Sequence, residues 1–402
     1  MYMNTQPPRA SAVLHDNRSL SMIDGHSTIE KNNYSTEILA VDSDDDDDDD
    51  DAEKQKVAAR PFVLTQTLIV SIANMLILIT TSGGIVKVLG QVKILGSDGY
   101  PRLGFLAMIP FSLACCLFFF MIIVNSVFQL AGPIKDVQKG NSRFYSSVKP
   151  NIKKHKNMQW PHITIQMPVY KESLKGVIQP TVNSLLPAIA DYERLGGTAS
   201  IFVADDGMQV VPAQQAELRQ AFYKQHGIGW VARPPHGKDG FIRGGRFKKA
   251  SNLNYALDVT LRLEDELLRL IAQTARESGR NADQLEVEEE NELYEQALST
   301  IIKQDAGRTE AEGNVRMGEI ILLIDSDTRV PVDCLSLAAM EMDESPEVAI
   351  IQHASGVLKV TDTWFEECIK FFTEIIYLSI RFSVGSGDAA PFVGTYSFRS
   401  FL

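Results

Sequence analysis

Two long stretches without a charged residue dominate the first third of the chain. One covers residues 61–86, most apolar at 62–80 (FVLTQTLIVSIANMLILIT); the other covers 103–134, centred on LGFLAMIPFSLACCLFFFMIIV. Each exceeds the roughly 20 residues that cross a bilayer core. Neither alternates a polar with an apolar face, as a surface helix of a soluble domain would. The pattern predicts two transmembrane helices rather than two buried core helices. Gln66, Ser71 and Asn74 make the first more polar and suit it to contacts with other helices, and Pro110 predicts a kink in the second.

Beyond residue 160 the apolar runs become short and separated. Residues 162–167 (HITIQM), 200–204 (SIFVA), 319–324 (EIILLI) and 348–352 (VAIIQ) are the lengths of strands, and three of them stop abruptly at proline or acidic residues. A helical stretch at 174–190, interrupted by Pro180 and Pro187, separates the first two. Strands alternating with helices predict an α/β domain with a parallel sheet. Leu257, Leu261, Leu268 and Ile271, then Tyr294, Ala297 and Ile301, recur at helical spacing, so 257–305 reads as a two-helix insertion on the flank of the sheet. A last apolar helix, 364–382 (WFEECIKFFTEIIYLSIRF), suits either the membrane interface or packing on the sheet.

The net charge of −12 is mostly local: Asp42 and the eight consecutive Asp at 44–51 supply −9, leaving −3 for everything else. Residues 1–60 lack apolar periodicity and contain this self-repelling block, which predicts a disordered acidic tail, with a docking or phosphorylation-regulated arm as the alternative. No signal-peptide pattern opens the sequence. Basic residues flank the apolar stretches unevenly. Lys54, Lys56 and Arg60 precede the first, and Lys135, Lys139, Arg143, Lys149, Lys153, Lys154 and Lys156 follow the second. The intervening loop holds Lys87, Lys93 and Arg102. This bias places both ends in the cytosol, with 135–159 as a basic linker and 160–402 as a cytosolic domain. Four cysteines without ligand spacing exclude a disulfide scaffold or a zinc site.

Candidate chemistry gathers where strands end. The first ends in Pro168-Val169-Tyr170-Lys171-Glu172, the second in Asp205-Asp206-Gly207, the third in Asp325-Ser326-Asp327. Ligands of open α/β sheets bind outside the carboxyl ends of the strands. Two carboxylates one residue apart there suit Mg²⁺ or Mn²⁺ gripping a diphosphate. Taken alone, Asp325 and Asp327 read sooner as a turn with capping carboxylates, since the same tripeptide occurs at 42–44 inside the acidic tract; the second cluster after SIFVA tips the reading to function. The basic, glycine-rich segment 233–249 (RPPHGKDGFIRGGRFKK) suits phosphate neutralisation or a plain surface loop; it has no Walker pattern. It also lacks the aromatic interleaving of a nucleic-acid groove, so no nucleic-acid partner is expected. His353, alone after AIIQ, reads as a structural histidine.

QMPVYKE, VADDG, KKASNLNYAL, LLIDSDTRVP and PFVG stand in the order seen in processive family-two glycosyltransferases. The chain resembles the cellulose-synthase-like and hyaluronan-synthase-like membrane enzymes, and fungal members in particular, over roughly 160–394. The resemblance implies a GT-A, Rossmann-like catalytic domain with a helical insertion. The implied reaction is inverting β-glycosyl transfer from a UDP-sugar to a growing glycan, some relatives making glucans. It implies that Tyr170 and the pair Asp205 and Asp206 hold the uridine part, that Glu172 belongs to the nucleotide-sugar site, that Lys249 meets the nucleotide, and that Asp325 and Asp327 hold metal and diphosphate. The family's catalytic base, an Asp in a Thr-Glu-Asp-like motif, and its Gln-x-x-Arg-Trp element are expected beyond Leu402, so no catalytic base is assigned within these residues. The implied setting is the plasma membrane or Golgi, as a homo-oligomer or beside a full-length synthase. A non-catalytic nucleotide-sugar-binding or interaction subunit is the alternative.

Overall fold

A computed structural model describes residues 65–131, 149–244, 248–345, 348–385 and 397–400. The acidic tail, residues 135–148 of the linker and the PFVG motif lie outside the described residues.

Helix α1 (Thr65–Leu95) ends at Gly96, whose φ of 61° is the left-handed conformation that closes a helix. A 3₁₀ segment (Gly96–Met108) leads into α2 (Ile109–Ala131). The two helices pack through Ile69, Ala73 and Val124, bordered by Phe120 and Met121. One helical run, Thr67–Phe128, is long and apolar enough to cross a membrane. Its outward side is apolar: Leu78, Val86 and Phe111 are 65%, 68% and 65% exposed.

The remaining described residues build one seven-stranded sheet: β1 (His162–Val169), β2 (Thr198–Asp205), β3 (Gly229–Ala232), β4 (Glu310–Glu312), β5 (Ile320–Leu323), β6 (Ile350–Gln352) and β7 (Ser397–Ser400). Its order is β4-β3-β2-β1-β5-β7-β6. The central β3, β2, β1 and β5 are parallel, and the outer β4, β7 and β6 pair antiparallel.

Strand alternation sends side chains to two separate layers. Ile163, Ile165 and Met167 of β1 and Ile201 and Val203 of β2 meet α3 (Gln179–Arg194), α4 (Ala213–Gln225) and α7 (Cys334–Glu344). Phe202, Ala204 and Val231 face the other way, onto Val259, Leu263 and Leu267 of α5 (Lys248–Ser278) and Leu298 of α6 (Val287–Gln304). Each fully buried aliphatic side chain contributes roughly 1.5–3 kcal/mol. The pair α5 and α6 therefore covers one face of the sheet. Its apolar stripe is what the bare face of β2 and β3 requires.

Pro180 and Pro187 do not break α3. Pro180 sits at the start of α3, directly after the π-helical turn Leu174–Ile178 that carries the chain into it, and Pro187 lies on the solvent side, where the carbonyl it releases is open to water. Helix α8 (Trp364–Gly385) leaves much of its apolar side uncovered, with Trp364 78% and Phe371 65% exposed. Its Phe372 ring stacks on Phe118 of α2 at 6.3 Å.

Candidate active site

The four parallel strands end along one edge, and their register aligns those ends. Val169 pairs with Asp205, Gln166 with Leu323, and Ala204 with Val231. The segments after β1, β2, β3 and β5 thus emerge side by side, carrying Tyr170 to Glu172, Asp206 and Gly207, Arg233, and Asp325 to Asp327.

The first two segments are joined tightly. Asp206 N–H donates to the Val169 carbonyl at 2.9 Å. Gly207 lies so close to the β1 exit that a Cβ there would meet the Tyr170 carbonyl oxygen at 1.6 Å. A glycine is required by this approach of two backbones. Tyr170 itself is 42% exposed, and its N–H donates to Glu172 Oε2 at 2.5 Å.

Asp205 and Asp206 take different partners, and both are buried. Asp205 accepts from Arg219 Nη1 at 2.8 and 3.0 Å, from the Tyr223 hydroxyl at 2.9 Å and from Gly207 N–H at 2.9 Å. Burial pushes the Asp205 carboxyl up, against the pull of Arg219 and these hydrogen bonds. Burial, with the neighbouring Asp205 charge, also raises Tyr223 well above an ordinary phenol, which keeps it a donor. Asp206 accepts from Arg233 Nε and Nη2 at 2.6 and 2.7 Å, a bidentate pair. Arg233 also donates to Ser251 Oγ at 2.6 Å, and Arg243 Nη2 donates to the Asp206 carbonyl at 3.2 Å. Two cations of the basic segment are therefore committed to Asp206.

Lys249 and Asp325, predicted on separate motifs, meet in an ion pair. Lys249 stands in the first turn of α5, which begins well before the 257 expected from periodicity. Asn252, one turn on, anchors that helix by donating to the Ala204 carbonyl at 2.8 Å. Asp325 is held in a turn closed by Thr328 N–H on its carbonyl at 3.1 Å, and the Ser326 carbonyl accepts from Thr181 Oγ1 at 2.6 Å. Asp327 is exposed. His353 follows β6 at the far edge of the sheet, away from this group.

Arg219 and Tyr223 carry no sequence signal as site residues, and Arg233 carries one only as part of the basic segment 233–249. Arg219 and Tyr223 are one helical turn apart in α4, on a face whose remaining buried residue is Phe222, so they read as an ordinary helix flank. Arg233 reads as part of a basic loop until β3 places it beside Asp206.

Residues 320–400, from β5 through β7, match the family model described as Glycosyl transferase family group 2. No curated protein matches the chain. The match includes Asp325 and Asp327. With the parallel-rich α/β sheet it fits a GT-A-like fold and supports a family-two glycosyltransferase, a class that uses a nucleotide-sugar donor and an acceptor.

Proposed function

We propose that the chain is a membrane-bound, UDP-sugar-dependent, inverting β-glycosyltransferase of the fungal cellulose-synthase-like and hyaluronan-synthase-like kind, making a glucan-type polysaccharide. The observation that carries this reading is the Lys249–Asp325 pair at the carboxyl edge of the sheet, whose Asp325 lies within the matched residues. Tyr170 offers an exposed ring for a base, and Glu172 and Asp206 lie beside it on the joined β1 and β2 exits. Asp205, spent on Arg219 and Tyr223, supports this floor from below.

Asp325 and Asp327 present hard oxygen donors one residue apart, the first half-buried and the second exposed. Mg²⁺ is commonly held by one or two carboxylates with phosphate oxygens completing its shell. Among the described residues no group of three or more His, Cys, Asp or Glu could hold a metal unaided. In this reading Asp325 and Asp327 would share Mg²⁺ or Mn²⁺ with the diphosphate of the donor, which supplies the remaining oxygen ligands. Such an ion, when bound, neutralises charge on the departing UDP. Lys249 lies close enough to exchange its Asp325 contact for a phosphate oxygen.

The apolar surfaces of α1 and α2 and the uncovered side of α8 point in this reading to a bilayer, with both helices spanning it. The glycosyltransferase domain then faces the cytosol at the plasma membrane or Golgi, extending a growing glycan alone, as a homo-oligomer or with a full-length synthase.

Calorimetric titration of the detergent-solubilised chain with UDP and Mn²⁺ tests the site. The wild type should bind UDP more tightly with Mn²⁺ than without, and Asp325→Ala/Asp327→Ala should lose that difference. An unchanged Mn²⁺ effect in the double variant overturns the metal assignment. Absence of UDP binding by the wild type overturns the donor assignment.

A further inference from the structure

We infer that Arg219 is a positioning residue, whose buried guanidinium fixes the backbone of residues 170–172 and so sets the Tyr170 ring and the Glu172 carboxylate for the donor nucleotide. The inference rests on the nucleotide-sugar reading of this site.

Arg219 belongs to α4, on the layer beneath the sheet edge, and is 2% exposed. Its two terminal nitrogens serve separate tasks. Nη1 donates to the Tyr170 carbonyl at 2.9 Å as well as to Asp205, while Nη2 donates to the Glu172 carbonyl at 2.7 Å. These carbonyls lie past Val169, the last paired residue of β1, so no strand supplies their donors. The third fastening is internal, from Tyr170 N–H to Glu172 Oε2. Together these bonds hold the segment as a closed turn with its aromatic ring outward.

A planar fork reaching two carbonyls two residues apart is a task for guanidinium and not for ammonium. Neutralising Asp205 alone would not require it. Tyr223 and Gly207 N–H already bond that carboxylate, and a buried ion pair is often no more stable than apolar residues of similar volume. The additional reach to Tyr170 and Glu172 is what distinguishes Arg219 from Tyr223, which touches the same carboxylate and neither carbonyl.

That difference defines the experiment. Arg219→Lys keeps a cation beside Asp205 but gives up the fork; Tyr223→Phe removes one hydrogen bond to Asp205 and leaves the fork. Two readouts are taken on the full chain in detergent: UDP affinity by calorimetry, and the rate of tryptic cleavage after the exposed Lys171 in the absence of nucleotide. Arg219→Lys should weaken UDP binding about tenfold or more, as misplacement of a binding group does, and should speed cleavage after Lys171 at temperatures well below its thermal midpoint. Tyr223→Phe keeps the fork, so it should lose less UDP affinity than Arg219→Lys and leave Lys171 as protected as in the wild type. If Arg219→Lys does not fold, Asp205→Asn/Arg219→Gln removes both charges together and is expected to show the same two losses. Wild-type UDP affinity and a protected Lys171 in a folded Arg219 variant overturn the inference and leave the donor reading intact. Equal losses in both single variants also overturn it, by reducing Arg219 to a support for Asp205. A wild type that does not bind UDP overturns the donor reading, and the inference with it.

Discussion

The Lys249 ammonium is paired with the Asp325 carboxylate, joining the first turn of α5 to the second residue past β5, with both side chains about two-fifths exposed. A cation so placed, reachable from solvent, can transfer to a stronger anion without burying an unpaired charge. The expected partner is the diphosphate. Lys249→Met should therefore weaken UDP binding about tenfold, within the range of a lost charge-assisted hydrogen bond, while leaving uridine binding unchanged. Calorimetry with the two ligands checks this. An equal loss for uridine would assign Lys249 to the base or ribose.

Gly207 makes the second prediction. Its Cα approaches the Tyr170 carbonyl so closely that an added methyl carbon would overlap it at 1.6 Å, and both atoms are backbone. Gly207→Ala should cost on the order of 3 kcal/mol or more, since neither segment can give way. Gly237→Ala is the comparison. Gly237 has a φ of 85° but open space around it, so its substitution should cost only about 1 kcal/mol. Urea unfolding of both variants tests the ordering.

Two histidines predict acid sensitivity of the folded domain. His162 bonds Thr198 Oγ1 and Ser200 Oγ, and burial, with Arg316 nearby, lowers its pKa to about 4. Burial alone lowers His353 to about 4. A histidine kept neutral in the fold takes up its proton more readily when unfolded, so its contribution is intact above the unfolded pKa near 6.5. It is lost as pH falls from there toward 4. For His162 the loss is about 2 kcal/mol by pH 5. Denaturation midpoints measured between pH 7 and pH 5 should fall, and His162→Gln should flatten that slope. A slope unchanged by the substitution would place the sensitivity elsewhere.

Much of this architecture was legible because hydrophobic period and chain length agree. β1, β2 and β5 are apolar runs ending in polar residues, and α5 and α6 show their buried stripe at helical spacing. Shorter or more polar strands were not legible. β3 is four residues long and opens on glycine, while β4 (EAE) and β7 (SFRS) are edge or antiparallel strands without an apolar run. Lys249 and Asp325 could each be singled out in sequence, but their meeting depends on α5 packing over the ends of the parallel strands. The Arg219 and Arg233 clamps were hidden for a related reason. A buried arginine looks like a surface arginine until the fold supplies its carboxylate.

Helix α8 supplies the last prediction. Around its axis Trp364, Cys368, Phe371, Phe372 and Ile375 fall on one broad apolar side, and Glu366, Lys370, Thr373 and Glu374 on the other, the pattern of a helix lying in a membrane interface. Phe372 stacks on Phe118 of α2, which ties that side to the helical run long enough to cross a bilayer. Cys368 lies near the middle of the apolar side, yet it is exposed in the protein alone. If the domain faces the cytosol as proposed, then in sealed membranes with that face outward a charged, impermeant maleimide should label Cys368 slowly. Labelling should become rapid after solubilisation in a mild detergent that keeps the domain folded, with the modified residue identified by mass spectrometry. Replacing Phe371 and Phe372 with Glu should lift the helix from the lipid and speed labelling in intact membranes, while extraction at alkaline pH still leaves the chain in the pellet through α1 and α2. Equal labelling of Cys368 in membranes and in detergent would mean that lipid does not cover this side of α8.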